Sequence, residues 1–167
     1  MADPLRINAV ELLRQPGAVR TITVDVDPGS IEAQHERLTG DLHVDLRLEA
    51  LNDGITVIGT VSAPWATECR RCLVAVSGVA VVPVDELYQV QPLAEEAYLI
   101  EDGQLDLVPL VRETALIELD LERLCRDDCA GLCPVCGIDR NDASCDCDTS
   151  ISDDRWAALE GFVPDDD

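Results

Sequence analysis

Lysine is missing: all 12 basic side chains among the 167 residues are arginine. Without it there is no Schiff-base amine and no phosphate-loop lysine. The chain also has no glycine-rich phosphate cradle, so nucleotide hydrolysis is not expected. Aromatic residues are scarce, at two Trp, two Tyr and one Phe. The core must therefore rest on Val, Leu, Ile and Ala, and the stacking platforms of single-stranded nucleic-acid binders are lacking. Histidine occurs only twice; His43 falls on the polar side of an alternating stretch and His35 in a polar turn. Both read as solvated surface, and no local motif pairs either with a catalytic cysteine. No run approaches the roughly 20 apolar residues of a membrane span, and the opening MADPLRINAVELL lacks a basic start followed by an apolar stretch. The expectation is a cytoplasmic protein that binds neither membrane nor nucleotide.

What the chain has in excess is negative charge: 34 acids give a formal net charge of −22. Such a surface repels nucleic-acid phosphates and anionic lipid and attracts basic proteins. Positive charge exceeds negative only locally, at Arg70-Arg71, the two charged residues of the stretch 69–84. Two arginines on a rigid turn fit a phosphate, which makes them the candidate RNA contact. The competing reading pairs them with the chain's own carboxylates.

Apolar residues at helical spacing from Ile7 to Leu13, stopped by Gln15-Pro16-Gly17, predict a short N-terminal helix within residues 1–17. Val19 to Asp27 alternates, and Leu42, Val44, Leu46 and Leu48 alternate with Asp41, His43, Asp45, Arg47 and Glu49. Ile55, Val57, Gly59, Val61 and Ala63 carry the same period beyond Asn52-Asp53-Gly54, so residues 41–63 predict a β-hairpin. Leu73–Val76 and Val79–Val84 read as two further strands about Ser77-Gly78, which places Cys69-Arg70-Arg71-Cys72 on a turn between strands. Residues 85–106 carry acids and no base and read as an acidic loop or edge segment. The run from Asp106 to Leu124 predicts the one long helix, with Leu107, Leu110, Val111, Thr114, Ala115 and Glu118 on one side and Pro109 in its first turn. Asp153 to Glu160, capped by Ser152, reads as a last short helix. The expected fold is α+β: a strand-rich antiparallel sheet or partly closed barrel over residues 18–124, with one main packing helix. A zinc-stapled cysteine-rich segment follows at 125–150, then a short helix and acidic tail at 151–167.

The eight cysteines come in C-x-x-C and C-x-C clusters, which in a reducing compartment point to metal before disulfides. Cys133-Pro134-Val135-Cys136-Gly137 has the form of a zinc knuckle. Two intervening residues bring both thiolates to one ion, and the turn lets backbone N–H groups face the sulfurs. With Cys145 and Cys147 it makes one Cys₄ set for zinc. Cys69, Cys72, Cys125 and Cys129 make a second, which would tie the end of the long helix to the strand region. Spacing leaves this partition open, because Cys125 or Cys129 can replace either member of the Cys145/Cys147 pair. Other readings of the same thiols are a metal-free pair packed beside Trp65, a disordered thiol-rich extension, and a redox zinc switch whose thiolates leave the ion on oxidation. A Cys₄ site has no open position for catalysis, and the paired acids, such as Asp127-Asp128, read as solvated faces. No enzyme activity is expected.

Three features together carry a resemblance: Cys69-Arg70-Arg71-Cys72-Leu73 after paired strands, the helix LVRETALIELDL, and the tail from Cys125 through Cys133-Pro134-Val135-Cys136-Gly137 and Asn141 to Cys145-Asp146-Cys147. They resemble the YceD family, the large ribosomal RNA subunit accumulation proteins, over residues 20–150 or so. The resemblance implies a non-enzymatic factor needed for normal accumulation of large-subunit ribosomal RNA. Family members without the six-cysteine segment keep the upstream pair, which implies that the Cys69/Cys72 turn carries the shared function and that the tail is a stabilising staple. Set beside the charge, it gives as partner a basic large-subunit ribosomal protein or assembly factor. Contact with ribosomal RNA is then limited and indirect, centred on Arg70 and Arg71.

Overall fold

The computed structural model describes residues 4–91, 98–119 and 121–149; the helix expected at 153–160 and the acidic end lie outside them. In chain order, β1 (Arg6–Asn8) leads into α1 (Ala9–Leu13) and β2 (Val19–Val26), then a 3₁₀ turn at Pro28–Ile31. The hairpin strands β3 (Leu42–Ala50) and β4 (Gly54–Glu68) follow, then β5 (Ala75–Gln89), β6 (Tyr98–Leu99), β7 (Gln104–Asp106) and α2 (Val108–Leu119). β2 to β6 form one sheet in sequence order, and β1 pairs with β7 in a separate ribbon.

Period-two alternation fixes which face is buried, since a one-residue slip would turn every apolar side chain to water. Leu42, Val44, Leu46 and Leu48 of β3 face inward and are fully buried, as are Ile55, Val57 and Val61 of β4. The predicted hairpin has the register His43↔Ser62 to Ala50↔Ile55, and its turn is closed by the Leu51 N–H donating to the Gly54 carbonyl at 2.8 Å. α2 lies against β4 and β5 and buries Leu110, Val111, Ala115 and Leu119.

Several expectations change. The sheet is open rather than a partly closed barrel, because β2 and β6 do not pair; a helix covers the apolar face that closure would otherwise bury. It is also not wholly antiparallel, since β5 and β6 run parallel at Tyr88 and Gln89. The first helix starts at Ala9, not Ile7, because Ile7 pairs with Leu105. Asn8 is its cap, accepting from the Glu11 N–H at 3.3 Å.

Ser77-Gly78 is no break between strands. Gly78 lies opposite Trp65 in one continuous β5, and a Cβ there would stand 2.9 Å from the indole ring. Within residues 85–106, the span to Gln89 completes β5 and 104–106 form β7, so the acidic stretch is partly strand. The long helix ends at Leu119 rather than Leu124. Arg37 Nη1 donates to the Leu119 and Leu121 carbonyls at 3.0 and 3.1 Å, satisfying terminal acceptors as the chain turns toward the β4–β5 loop. Among the described residues no helix is long and apolar enough to cross a membrane.

Candidate functional site

The β4–β5 turn and the chain after α2 meet in a layer of thiols below the main core. Cys69 and Cys72 come from that turn, and Cys125 and Cys129 from the tail; the sulfurs of these four lie within 4.8 Å of one another. Cys133, Cys136, Cys145 and Cys147 form a second group under the same limit. This is the preferred partition of the eight thiols. Neither histidine belongs to either group; His43 instead pairs through Nδ1 with Asp25 at 2.7 Å on the sheet surface.

The two C-x-x-C turns have the same backbone. In the second, the Gly137 N–H donates to the Cys133 carbonyl at 2.9 Å and the Cys133 N–H to the Ile138 carbonyl at 2.9 Å. In the first, Leu73 donates to Cys69 at 2.9 Å and Cys69 to Val74 at 2.8 Å. Both turns need a left-handed residue after the second cysteine: Gly137 has φ +75° and Leu73 φ +62°. The first turn is therefore a true knuckle, hidden in the sequence because leucine stands where glycine is usual.

Sulfur geometry matches a tetrahedral ion. Cys69 Sγ lies 3.8 Å from Cys129 Sγ, and Cys72 Sγ 3.6 Å from Cys125 Sγ, while four sulfurs each about 2.3 Å from zinc are about 3.8 Å apart. Electrostatics agree. Burial pushes the Cys69 thiol up, but the N–H groups of Cys72, Arg71 and Cys125 outweigh it and bring it down to about 6. Cys125 goes the other way, pushed up to about 12 by burial and by the neighbouring Cys129, Cys72 and Cys69. In the second group the N–H groups of Cys136 and Val135 bring Cys133 down to about 6, whereas the Cys136 sulfur and burial push Cys147 up to about 12. Within each group some thiols ionise readily and others resist, as like charges at this spacing require. Ionising all four in one group would call for a cation among them.

Sequence reasoning gives no role to the residue that joins the groups, although the resemblance includes it. Asn141, in the loop between Cys136 and Cys145, donates through Nδ2 to Cys129 Sγ at 3.5 Å and to Asp139 at 2.7 Å. Its Oδ1 accepts from the Ala130 N–H at 2.8 Å and from Arg126 at 2.7 Å. An asparagine in a polar loop gives no signal of this until the thiol it faces is known. Arg123 was also silent; it lies 4.7 Å over the Trp65 ring and donates to the Glu118 carbonyl at 2.9 Å.

The arginine pair divides. Arg71 Nη1 donates to the Cys129 carbonyl at 2.9 Å, and the Leu132 N–H to the Arg71 carbonyl at 2.9 Å, so Arg71 fastens tail to turn. Gly131 permits this approach, since a Cβ there would stand 3.0 Å from that carbonyl oxygen. The Arg70 backbone N–H reaches the Arg123 carbonyl at 3.1 Å. Its side chain is exposed and, among the described residues, makes no hydrogen bond or ion pair.

A family model described as large ribosomal RNA subunit accumulation protein YceD matches residues 57–163, more than half of the chain. An uncharacterized protein of Mycobacterium tuberculosis is 33% identical over 148 residues, which cover 83% of this chain and 72% of that protein. One of Mycobacterium bovis gives the same figures. One of Mycobacterium leprae is 32% identical over 148 residues, covering 82% of this chain and 68% of its own. No solved structure matches the chain.

Proposed function

The chain belongs to the family of the large ribosomal RNA subunit accumulation protein YceD, and on that premise we propose that it is a non-enzymatic factor in large-subunit biogenesis, acting in the cytoplasm by binding a basic ribosomal protein or assembly partner. The observation that carries this reading is the matched region itself, which spans α2 and both groups of four cysteines. The net charge of −22 favours a basic protein over bare RNA as the direct contact. Arg70, exposed on the first knuckle, is left as the candidate phosphate contact, with Arg71 largely committed to the fold. Depleting the protein is expected to lower mature large-subunit ribosomal RNA relative to small-subunit RNA, with recovery on re-expression. Unchanged subunit ratios after full depletion would sink the proposal.

The metal of this reading is zinc at both groups. Cys69, Cys72, Cys125 and Cys129 would hold one ion and Cys133, Cys136, Cys145 and Cys147 the other. Each ion, when bound, supplies a structural crosslink with its four positions taken by sulfur, leaving none for water or substrate. Asn141→Ala removes a donor to one of those sulfurs and the bridge to the second loop. It is expected to weaken zinc retention at the first site by about 10–100-fold in competition with a chromophoric chelator; unchanged retention would reduce Asn141 to a loop residue.

A further inference from the structure

β5 has one complete neighbour. It pairs with β4 along all of Ala75–Gln89, yet on its other side only Tyr88 and Gln89 meet β6. Among the described residues its edge is open from Ala75 to Leu87. The stretch Ala75–Val84 reads AVSGVAVVPV, without one charge, in a chain that is 28% charged. Open edges are ordinarily guarded by charged side chains, bulges or proline. Here the guard is Pro83 alone, which leaves Ala75–Val82 free to pair.

The exposed side chains fit the same picture. Val79 and Val81 are 60% and 61% exposed, and at the head of the strand Leu73 and Val74 are 57% and 49% exposed. Leu73 is held there at φ +62°, a left-handed conformation costing a non-glycine residue about 1–2 kcal/mol. The other knuckle has Gly137 in that place. The knuckle accounts for the left-handed conformation, but no contact among the described residues accounts for an exposed leucine in it; a contact outside the chain would.

We infer that the edge from Leu73 to Val82 takes an extended segment of a basic protein by strand addition, the segment being apolar along the edge with arginine or lysine at the end that meets Asp85 and Glu86. Charge selects this occupant. Two copies at −22 repel each other, as RNA is repelled. Exposed acids, Asp85 and Glu86, bound the far end of the edge, whereas at its head Glu68, opposite Ala75, is offset by the exposed Arg70 of the knuckle. Between the two ends Ala75–Val82 spans about 27 Å. The inference deepens the functional reading above and rests on it only for which basic protein is met.

A fluorescent synthetic peptide of alternating valine and threonine, with two arginines at each end, tests it on the full chain. A second peptide carries glutamates at the ends. The arginine peptide is expected to bind and to slow exchange of the alternate 75–82 amides turned away from β4, and the glutamate peptide to do neither. Leu73→Gly relieves the strain, so it should keep or raise the melting temperature while weakening binding by about tenfold. Val79→Asn with Val81→Asn should weaken it at least as much. Three results would overturn the inference: peptide bound without protection of 75–82, those amides already protected in the free chain, or a dimer in sedimentation that protects them. Failure of the depletion experiment with peptide docking intact would remove the ribosomal reading and leave the edge site standing.

Discussion

Stripping the metal, or replacing Cys72 with serine, is expected to free residues 121–149 from the sheet while the sheet stays folded. Two hydrophobic clusters of unequal size are the reason. The main one draws on every strand of the sheet, both helices and the β1–β7 ribbon. The one under the tail has Cys69, Cys72 and Cys129 buried, with only Val76, Leu124 and Leu132 among the described residues packed against it. Half of that small core is sulfur.

Beyond it, the tail is held to the turn by bonds such as Arg70 N–H to the Arg123 carbonyl and Leu132 N–H to the Arg71 carbonyl, at 3.1 and 2.9 Å. Net contributions of about 1 kcal/mol each are typical of such bonds, against an apparent 10–16 kcal/mol for a structural zinc. On the zinc reading proposed above, the ion therefore decides whether the tail docks. Zinc content should fall from two per chain to one in Cys72→Ser and to none after chelation. Limited proteolysis should then cut within 121–149 and spare the sheet. A metal-free chain with a tail as protected as in the loaded protein would refute this.

How much of this was legible in the sequence depended on whether the deciding contact was local. The hairpin was readable because Leu42 to Leu48 and Ile55 to Ala63 each show their buried face by alternation alone. The partition of the cysteines was readable as a preference, but spacing could not choose Cys125 and Cys129 over Cys145 and Cys147 for the first group. That choice depends on where α2 ends, at Leu119, whose carbonyl accepts from Arg37, 82 residues away. The sequence overextends α2 for the same reason, since LDLERL continues a helical pattern while the Arg37 guanidinium takes the Leu119 and Leu121 carbonyls. Gly78 reads as a turn because glycine usually marks one, whereas in the fold it clears space for Trp65 on the neighbouring strand.

Gly59 carries the last of these hidden demands, and Gly59→Ala is expected to cost about 3 kcal/mol or more. It sits midway along β4 in the inward series Ile55, Val57, Gly59, Val61, Ala63, where any small apolar residue would satisfy the pattern. Its backbone passes too close to β3 for a side chain: a Cβ would run into the Asp45 carbonyl oxygen and stand 2.9 Å from the Leu46 Cα. Both obstacles are backbone, so relief requires separating two central strands. Its φ of +156° adds a conformation that L side chains rarely adopt.

Gly17→Ala separates the two effects. Gly17 also has a positive φ, +86°, but a Cβ there meets nothing within 4 Å, so its substitution should cost only the conformational share, about 1–2 kcal/mol. Urea midpoints of the two variants at unchanged slope measure the difference. Equal losses would mean that backbone conformation alone selects glycine at 59. A larger loss at 59 means that the close passage of β4 over β3 does, and that the hairpin leading to the first knuckle is shaped by a contact no periodicity records.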